Sequence, residues 1–229
     1  LEGSPNSGSS LRGCDGHGTL DAHIVAGYSA FSSGFPHADL QGYSYGLGVC
    51  PFVKIGSSVV FDPDEFTHPD YKTLQTHAWN SGARISNNSW GAETSGAYDV
   101  DAQAYDALVR DVGATSSNRQ MVIVFVSGNS GPTPGIDSPG SAKNVITVGS
   151  SDNVRSLSIA NGGNNASGFD NCDTSDADAS NANNLSGFSS RGPCEDGRIK
   201  PDLVAPGTHI TAGVPQNGAP TVSGTGNAH

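Results

Sequence analysis

The segment Met121-Val122-Ile123-Val124-Phe125-Val126, followed directly by Ser127-Gly128-Asn129, decides how the rest of the chain is interpreted. An uninterrupted apolar run of this length is typical of a strand covered on both faces in a parallel sheet. The Ser-Gly-Asn then lies at the carboxyl end of that strand. In open α/β sheets the functional groups gather at these strand ends. The segment therefore predicts a central strand with a functional loop at its end.

Helical and strand-like segments alternate on both sides of this strand. Apolar residues at helical spacing predict helices over 70–83 and 98–112, and a glycine marks the end of each. Short apolar runs predict strands at 53–60, 84–87 and 144–148. Such alternation implies βαβ units with right-handed crossovers. The predicted fold class is α/β, with a doubly wound, mainly parallel sheet and helices on both faces.

Size and charge limit the classes of protein to which the chain can belong. Its 229 residues fit a single domain over 1–229, large enough to bury a core. A formal net charge of −11 argues against nucleic acid or an anionic membrane as a partner. No apolar stretch approaches the ~20 residues that span a bilayer. Residues 151–187, rich in Asn, Asp, Ser, Ala and Gly, are predicted to form a surface insertion.

Four cysteines, Cys14, Cys50, Cys172 and Cys194, allow three disulfide pairings. An even count in an acidic, Gly/Asn/Ser-rich chain favours an exported protein with disulfides over one with free thiols. We expect Cys14 to pair with Cys50 and Cys172 with Cys194, and we expect the protein to be extracellular. Since no two cysteines have the spacing of zinc ligands, no zinc site is expected.

An acidic run inside the predicted insertion is the one candidate for a metal ligand set. Asp170, Asp173, Asp176 and Asp178 carry the oxygen ligands that calcium prefers. Their irregular spacing favours a solvated acidic loop instead, so no cofactor or metal is predicted.

Two polar residues stand in positions suited to catalysis. His17, flanked by glycines in Gly16-His17-Gly18-Thr19, opens a predicted helix, and the glycines let another backbone approach its ring. Its ordinary pKa near neutrality suits a general base. Asn129, among glycines at the end of the central strand, could donate its side-chain N–H to a developing oxyanion. Taken alone, a histidine in this setting is more typical of a structural or merely exposed residue. An asparagine at a strand end is as typical of a turn as of an oxyanion donor.

A series of short segments, spread over residues 16–228 and in consistent order, resembles the subtilisin-like serine proteases. The matching segments are Gly16-His17-Gly18-Thr19 with Val25-Ala26-Gly27, Ser86-Asn87-Asn88-Ser89-Trp90-Gly91, Ser127-Gly128-Asn129, Ser138-Pro139-Gly140, Phe188-Ser189-Ser190-Arg191-Gly192-Pro193, Lys200-Pro201-Asp202-Leu203-Val204-Ala205-Pro206-Gly207 and Ser223-Gly224-Thr225. The resemblance implies a subtilisin-like fold and hydrolysis of peptide bonds in extended polypeptides.

The resemblance also implies a role for each matching residue. His17 would be the general base, and Asn129 would donate to the oxyanion. Ser89-Trp90-Gly91 would be an edge segment that pairs with an extended substrate backbone. Together with Ser127-Gly128, that segment would wall the pocket for the residue before the scissile bond. Gly140 would lie near the floor of this pocket.

The chain departs from the family pattern at the nucleophile. Gly226 follows Gly224-Thr225, where the family has its serine, and glycine has no oxygen to attack a carbonyl. Upstream of His17 no apolar strand ends in the family's aspartate, and Asp15 is not that residue. The helix that follows the nucleophile is also missing. We therefore expect a catalytically inert chain whose core is completed by other copies or chain fragments.

Two interpretations remain open. The first is a subtilisin-like serine endopeptidase domain, present here as an incomplete or altered copy. The second is a non-catalytic module that keeps the protease fold and binds extended peptides or assembles with itself.

Overall fold

The computed structural model describes residues 17–28, 47–61, 65–113, 118–153, 181–208, 210 and 212. The chain forms two compact units. The first consists of Leu1–Thr67, Asp152–Ala182 and Gly207–His229, and the second of His68–Ser151 and Asn183–Pro206. The single domain predicted over 1–229 stays a prediction.

The second unit contains a four-stranded parallel sheet with strand order β1-β2-β3-β4. The strands are β1 (Ile85–Asn88), β2 (Val122–Val126), β3 (Ile146–Ser151) and β4 (Leu203–Pro206). The parallel α/β architecture is confirmed, and so are the strands predicted at 84–87, 121–126 and 144–148. The fourth strand was not predicted. It is formed by Leu203-Val204-Ala205-Pro206. Pro201 lies just before the strand and Pro206 is its last residue, positions that suit an edge strand.

Both predicted helices of the second unit are confirmed, with shorter bounds. Helix α2 covers Tyr71–Asn80 and α3 covers Val100–Arg110. Each begins with an aspartate cap: Asp70 Oδ1 accepts from Thr73 N at 2.6 Å, and Asp99 Oδ1 accepts from Ala102 N at 2.9 Å. Gly82, with φ of +103°, ends α2 in a conformation that favours glycine.

The core lies between these helices and one face of the sheet. Its buried members come from α3 and Val112 after it, from β2 and Met121 before it, and from the turn before β3. They are Ala102, Tyr105, Leu108, Val112, Met121, Ile123, Phe125, Ala142 and Val145. Tyr105 and Phe125 are in edge-to-face contact, with ring centroids 4.7 Å apart. The core therefore holds the helices against the centre of the sheet.

The opposite face of the sheet is only partly covered. Val122 is 47% exposed, Ile146 37% and Leu203 49%. The run 121–126 is therefore fully buried on the face of Ile123 and Phe125, while on the other face Val124 and Val126 are half-buried and Val122 is exposed. Continuous apolarity shows that a strand has two apolar faces, but an element must pack on each face to bury it. Here α2 and α3 bury only the face that carries Ile123 and Phe125.

The strand predicted at 53–60 is also wrong. These residues are not part of a strand, and Val53 and Ile55 are 46% and 45% exposed. Ser58 forms a single bridge, Val60 O accepts from Thr67 N at 3.0 Å, and Phe61 forms an antiparallel bridge with Phe66. A short apolar run becomes a strand only when a neighbour supplies a hydrogen-bond ladder. Among the described residues of the first unit, no such neighbour exists.

The first unit contains helix α1, His17–Ala26, which confirms the helix predicted to open at Gly-His-Gly-Thr. The chain at 48–50 closes its carboxyl end. Gly48 N donates to Gly27 O, Val49 N to Ile24 O and Cys50 N to Val25 O, at 2.7–2.9 Å. These bonds use carbonyls that the last turn of a helix leaves unpaired.

The predicted insertion lies mostly outside the described residues, which resume at 181. Its two ends belong to the sheet unit. Ser151 closes β3 and forms a bridge with Leu185, and the buried Ser186 lies 2.7 Å, hydroxyl to hydroxyl, from Ser150. The excursion between these ends stays a prediction. So do its acidic residues Asp170, Asp173, Asp176 and Asp178, which lie outside the described part.

The structure describes two of the four cysteines. Cys50 is exposed and Cys194 is buried, and no disulfide joins these two residues to each other. Burial raises the pKa of the Cys194 thiol. Their expected partners, Cys14 and Cys172, lie outside the described residues, so both disulfide pairings stay predictions.

Candidate functional site

Three segments of the second unit meet at the carboxyl ends of β1 and β2. They are 89–92, 127–129 and 137–140, and we call them the three-segment pocket. Ala92 and Ser138 exchange two backbone hydrogen bonds, of 2.8 and 3.0 Å. Asp137 N donates to Ser127 O at 3.0 Å. The third segment is thereby bonded to both of the others.

Strand register explains why the first two segments are neighbours. Asn88, the last residue of β1, lies opposite Phe125 in parallel β2. The residues that follow each strand therefore emerge side by side. Buried Asn88 strengthens this junction, because its Nδ2 donates to Val124 O at 3.1 Å. This is the strand-end location at which α/β sheets bind ligands.

Glycines allow the three segments to approach closely. A Cβ atom placed on Gly128 would lie 2.3 Å from Cγ of Asp137, and one on Gly91 would lie 3.1 Å from Cβ of Asp137. Gly128 also has a φ of +106°. A Cβ on Gly140 would lie 2.6 Å from the Val126 carbonyl oxygen. The Asp137 side chain therefore occupies the space that glycines at 91 and 128 leave open.

The sequence interpretation did not include Asp137 in the site. The available signal was its position directly before Ser138-Pro139-Gly140, a segment already placed at the pocket by resemblance. The Asp137 carboxylate belongs to the site because Gly91 and Gly128 face it. These glycines are distant from it in sequence, so local sequence does not reveal the contact.

Asp137 carries a charge that its surroundings disfavour. Partial burial, and secondarily the negative charge of Glu93, raise its pKa from 3.8 to about 6. Within the described part of the chain, no lysine, arginine or histidine forms an ion pair with it. At neutral pH the pocket therefore presents a carboxylate without a protein counter-ion.

The Trp90 side chain points into the core and not into the pocket. Its ring lies 5.2 Å from that of Phe125 and 5.8 Å from that of Tyr71, centroid to centroid, and Nε1 donates to Asn88 Oδ1 at 3.3 Å. The residue thus anchors the segment 89–92 by its side chain. What it offers to a ligand is its backbone, as pairing with an extended peptide requires.

Helix α3 supports the pocket from behind. Ser138 Oγ donates to Asp99 Oδ1 at 2.5 Å, and the same oxygen caps the helix by accepting from Ala102 N. Ser127 is buried, and its N–H donates to Val148 O of β3 at 2.9 Å. The pocket is therefore built on rigid elements.

Asn129 is exposed on a loop fastened at both sides. Ser130 N donates to Ser190 Oγ at 2.9 Å, and Ser190 N donates to Gly128 O at 2.9 Å. Among the described residues, none forms a hydrogen bond with the Asn129 carboxamide. Its N–H is thus accessible to a ligand, as an oxyanion donor requires.

A subtilase model matches residues 2–228 of the chain. The chain belongs to the subtilase family. One relative of this subtilase is the serine protease/ABC transporter B family protein tagD of Dictyostelium discoideum, 28% identical over 93% of this chain and 14% of its own length. Another is the serine protease AprX of Bacillus subtilis (strain 168), 33% identical over 86% of this chain and 38% of its own length. The subtilase chain thus spans well under half of either relative.

Among solved structures, the prenylagaramide maturation protease PagA is similar to this subtilase. The match has a TM-score of 0.49 at 20% sequence identity, and covers 76% of this chain and 50% of that one.

The predicted general base of the subtilase, His17, lies in the first turn of α1 with a side chain 39% exposed. Its Nδ1 is 3.4 Å from Oδ2 of Asp21, one turn further along the helix. A carboxylate beside Nδ1 favours the tautomer in which Nε2 can accept a proton. Sequence reasoning missed this contact, although the i, i+4 spacing was visible.

His17 and Asn129 belong to different compact units, and Gly226 lies outside the described residues. Their convergence therefore stays a prediction, as do the catalytic roles of all three.

In the part of the chain that the structure describes, no group of three or more His, Cys, Asp and Glu side chains is placed to hold a metal ion. None of the described helices has both the length and the apolar character that crossing a bilayer demands.

Proposed function

We propose that this subtilase domain binds extended polypeptides in a cleft at the carboxyl ends of β1 and β2, and that its fold serves peptide-bond hydrolysis. The supporting observation is the three-segment pocket. An edge segment, a loop with an accessible carboxamide and a glycine-lined recess lie together on one rigid unit. A protein that holds an extended chain and polarises one of its carbonyls needs these three parts.

In this proposal the catalytic groups act as in serine proteases. A serine oxygen attacks the scissile carbonyl, His17 takes the proton and later gives it to the leaving amine, and Asn129 donates to the oxyanion. This chain has Gly226 where the serine is expected, so it has no oxygen to form the acyl-enzyme. In a subtilisin, loss of the serine is known to lower kcat by about 2 × 10⁶. The chain as it stands therefore binds without cleaving.

A second candidate function follows from the same glycine. A subtilase fold without a nucleophile can serve as a peptide-binding module or assemble with further copies of itself. This alternative is favoured if the functional protein has glycine, and not serine, at position 226.

A serine-directed fluorophosphonate probe separates the two candidates. We expect no labelling of the chain with Gly226, labelling of Gly226→Ser, and strong loss of labelling in Gly226→Ser combined with His17→Ala. The single variant His17→Ala, which lacks the serine, is the background control. If Gly226→Ser binds peptides but is not labelled, the cleft is that of a module and the hydrolytic part of the proposal fails.

The proposed partner is a polypeptide, without nucleic acid, membrane or metal. The even cysteine count and the acidic, Gly/Asn/Ser-rich composition support an extracellular location. The mass of the intact protein after alkylation, with and without prior reduction, shows whether the two predicted disulfides form. Their presence would support the extracellular location, and four free thiols would argue against it.

A further inference from the structure

We infer that Asn184 carries an N-linked glycan, attached in the secretory pathway before the adjacent residues dock on strand β3. The inference rests on the extracellular location given under the proposed function, and it is independent of peptide-bond hydrolysis. Its starting point is the tripeptide Asn184-Leu185-Ser186, which fits the Asn-X-Ser/Thr acceptor pattern with a middle residue other than proline.

Asn184 lies at the surface of the second unit, where a bulky substituent fits. The residue follows the turn at 182–183, and all residues from 181 to 185 are exposed. Such a run leaves room for a solvated oligosaccharide, which would clash at a packed position. Leu185 is 42% exposed, although it forms a single antiparallel bridge with Ser151 of β3. The acceptor residue is therefore placed for modification.

The third residue of the acceptor pattern is buried in the folded protein. Ser186 is 0% exposed, its N–H donates to Ser150 O at 3.0 Å, and its hydroxyl oxygen lies 2.7 Å from that of Ser150. Because the pattern requires a hydroxyl at this position, the transferase has to reach it together with the Asn184 amide. Folding closes that access. Attachment therefore precedes the docking of 185–186 on β3.

The reaction is a glycosyl transfer whose donor is a lipid-diphosphate-linked oligosaccharide. Asn184 Nδ2 attacks the anomeric carbon of the sugar that is joined to the diphosphate. A carbon–nitrogen bond forms, and the bond from that carbon to the diphosphate oxygen breaks. Nδ2 loses one proton to a base of the transferase, and the lipid diphosphate leaves with the bonding electron pair. The chain contributes the acceptor amide and the hydroxyl of the pattern.

A second described tripeptide, Asn87-Asn88-Ser89, fits the same pattern but suits a glycan less well. Asn87 belongs to β1, opposite Val124 of β2, and the next residue is buried. Ser89 opens the three-segment pocket, so a glycan on Asn87 would stand beside the cleft that the proposed function keeps open. We expect Asn87 to be unmodified. A third match, Asn165-Ala166-Ser167, lies outside the described residues.

The test produces the 229-residue chain behind a cleavable secretion signal in yeast and analyses the protein from the medium. Peptide N-glycosidase removes the glycan and converts the attachment asparagine to aspartate, so peptide mass spectrometry identifies the modified position. We expect more than half of the secreted molecules to be modified at Asn184. Asn184→Gln should remove this modification, and Asn183→Gln, which changes the neighbouring asparagine outside the pattern, should retain it.

A matched pair of alanine variants separates the acceptor pattern from the fold. Ser186→Ala and Ser150→Ala each remove one partner of the same hydroxyl contact, but only the first destroys the pattern. Occupancy at Asn184 should fall to background in Ser186→Ala and persist in Ser150→Ala. Where a variant is poorly secreted, the membrane fraction is analysed, because attachment precedes folding. Equal occupancy in the two variants overturns the inference.

The order of attachment and folding is tested with unmodified chain made in bacteria. Solubilised transferase with the lipid-linked donor should modify chain freshly diluted from urea at least about fivefold faster than folded chain. Equal rates overturn the proposed order. Secreted chain with unmodified Asn184 overturns the inference and leaves the extracellular location intact. Chain that is retained in the cell without modification overturns both.

Discussion

At the scale of single residues, Asp137 imposes a stability cost on the folded protein. Its pKa is 3.8 in the unfolded chain and about 6 in the folded protein, so the folded state binds the proton more tightly. The free energy of unfolding therefore falls as the pH rises from about 4 to 6, and the full penalty is present at neutral pH. Natural sites often retain such strain for function.

Replacing Asp137 with asparagine should raise stability at neutral pH. Because the carboxylate is only half-buried, solvent screens much of the penalty, and we expect a gain of about 1 kcal/mol at pH 7.5. The gain should shrink towards zero at pH 3.5, where the wild-type carboxyl is protonated in the folded state. Urea unfolding at both pH values measures it.

Glu65→Gln, which removes an exposed charge, is the control for net charge. A loss of stability in Asp137→Asn at pH 7.5 would show that the carboxylate has a stabilising partner, and would contradict the interpretation of its environment.

Residue types in sequence identified part of the site. Motif resemblance nominated Gly91 and Gly128, and the structure places both beside the Asp137 side chain. Their role in binding a substrate stays a prediction. Asp137 and the contact of Asp21 with His17 were missed. Both depend on which side chains face each other across a turn or between strand ends, and a single residue's type carries no such information.

At the scale of structural elements, Lys200 and Asp202 explain how the Lys-Pro-Asp segment holds β4 to the sheet. The Lys200 side chain is 4% exposed; its Nζ donates to Val145 O at 2.8 Å and to Asp202 Oδ2 at 2.6 Å. The same Asp202 oxygen accepts from Thr147 N at 2.7 Å. One carboxylate thus neutralises a buried cation and joins β4 to β3.

Asp202→Ala should destabilise the protein by about 3 kcal/mol, because it leaves a buried ammonium group without its counter-ion. The double variant Lys200→Met/Asp202→Ala should recover part of this loss, since neither charged partner remains. Thermal unfolding of the three proteins measures the difference. Asp196→Asn disrupts an exposed pair with Arg198 and should leave the melting temperature nearly unchanged. If the double variant is no better than Asp202→Ala, the buried charge is not the cause.

Gly140 tests how tightly the pocket loop is packed. An added Cβ would lie 2.6 Å from Val126 O and 2.9 Å from Asp137 O, both backbone atoms that cannot move aside easily. Gly140→Ala should therefore cost about 2–3 kcal/mol through overpacking. At Gly187 an added Cβ meets nothing within 4 Å, so Gly187→Ala should be neutral or slightly stabilising.

Equal stability of the two alanine variants in a urea titration would contradict the close packing of 137–140 against β2.

Elements were predictable where local pattern and tertiary context agree. Helix α3 and strand β2 supply buried members of the core, and α2 packs Tyr71, Ala78 and Trp79 against it, as their apolar periodicity predicts. The 53–60 segment has similar apolar content, but no described strand pairs with it. All four residues of β4 are exposed. The strand therefore lacks the alternation of buried and exposed positions from which a strand is predicted.

At the scale of the whole molecule, the exposed apolar residues on one face of the sheet are the most consequential feature. Ile85 and Val122 lie opposite each other on β1 and β2 and are 65% and 47% exposed. Contiguous apolar surface of this kind promotes association.

We expect the chain to bind a hydrophobic dye and to self-associate as its concentration rises. Val122→Lys should weaken both effects, because it places a charge on the exposed face. Ile123→Lys, one residue along the same strand, is the matched contrast: Ile123 is 1% exposed, so this change should unfold the unit. Sedimentation at several concentrations checks the prediction, and a strictly monomeric chain without dye binding contradicts it.

The number and order of motifs along the chain were sufficient to predict the family, since so many matches in one order do not arise by chance. No local pattern determines where His17 lies relative to Asn129, because the two residues belong to different compact units.

The most direct test of the account is a crystal structure of the chain with an extended peptide bound. We predict that the peptide backbone pairs with 89–91 and that one peptide carbonyl oxygen lies within about 3 Å of the Asn129 side-chain nitrogen. A peptide bound away from these two segments would contradict it.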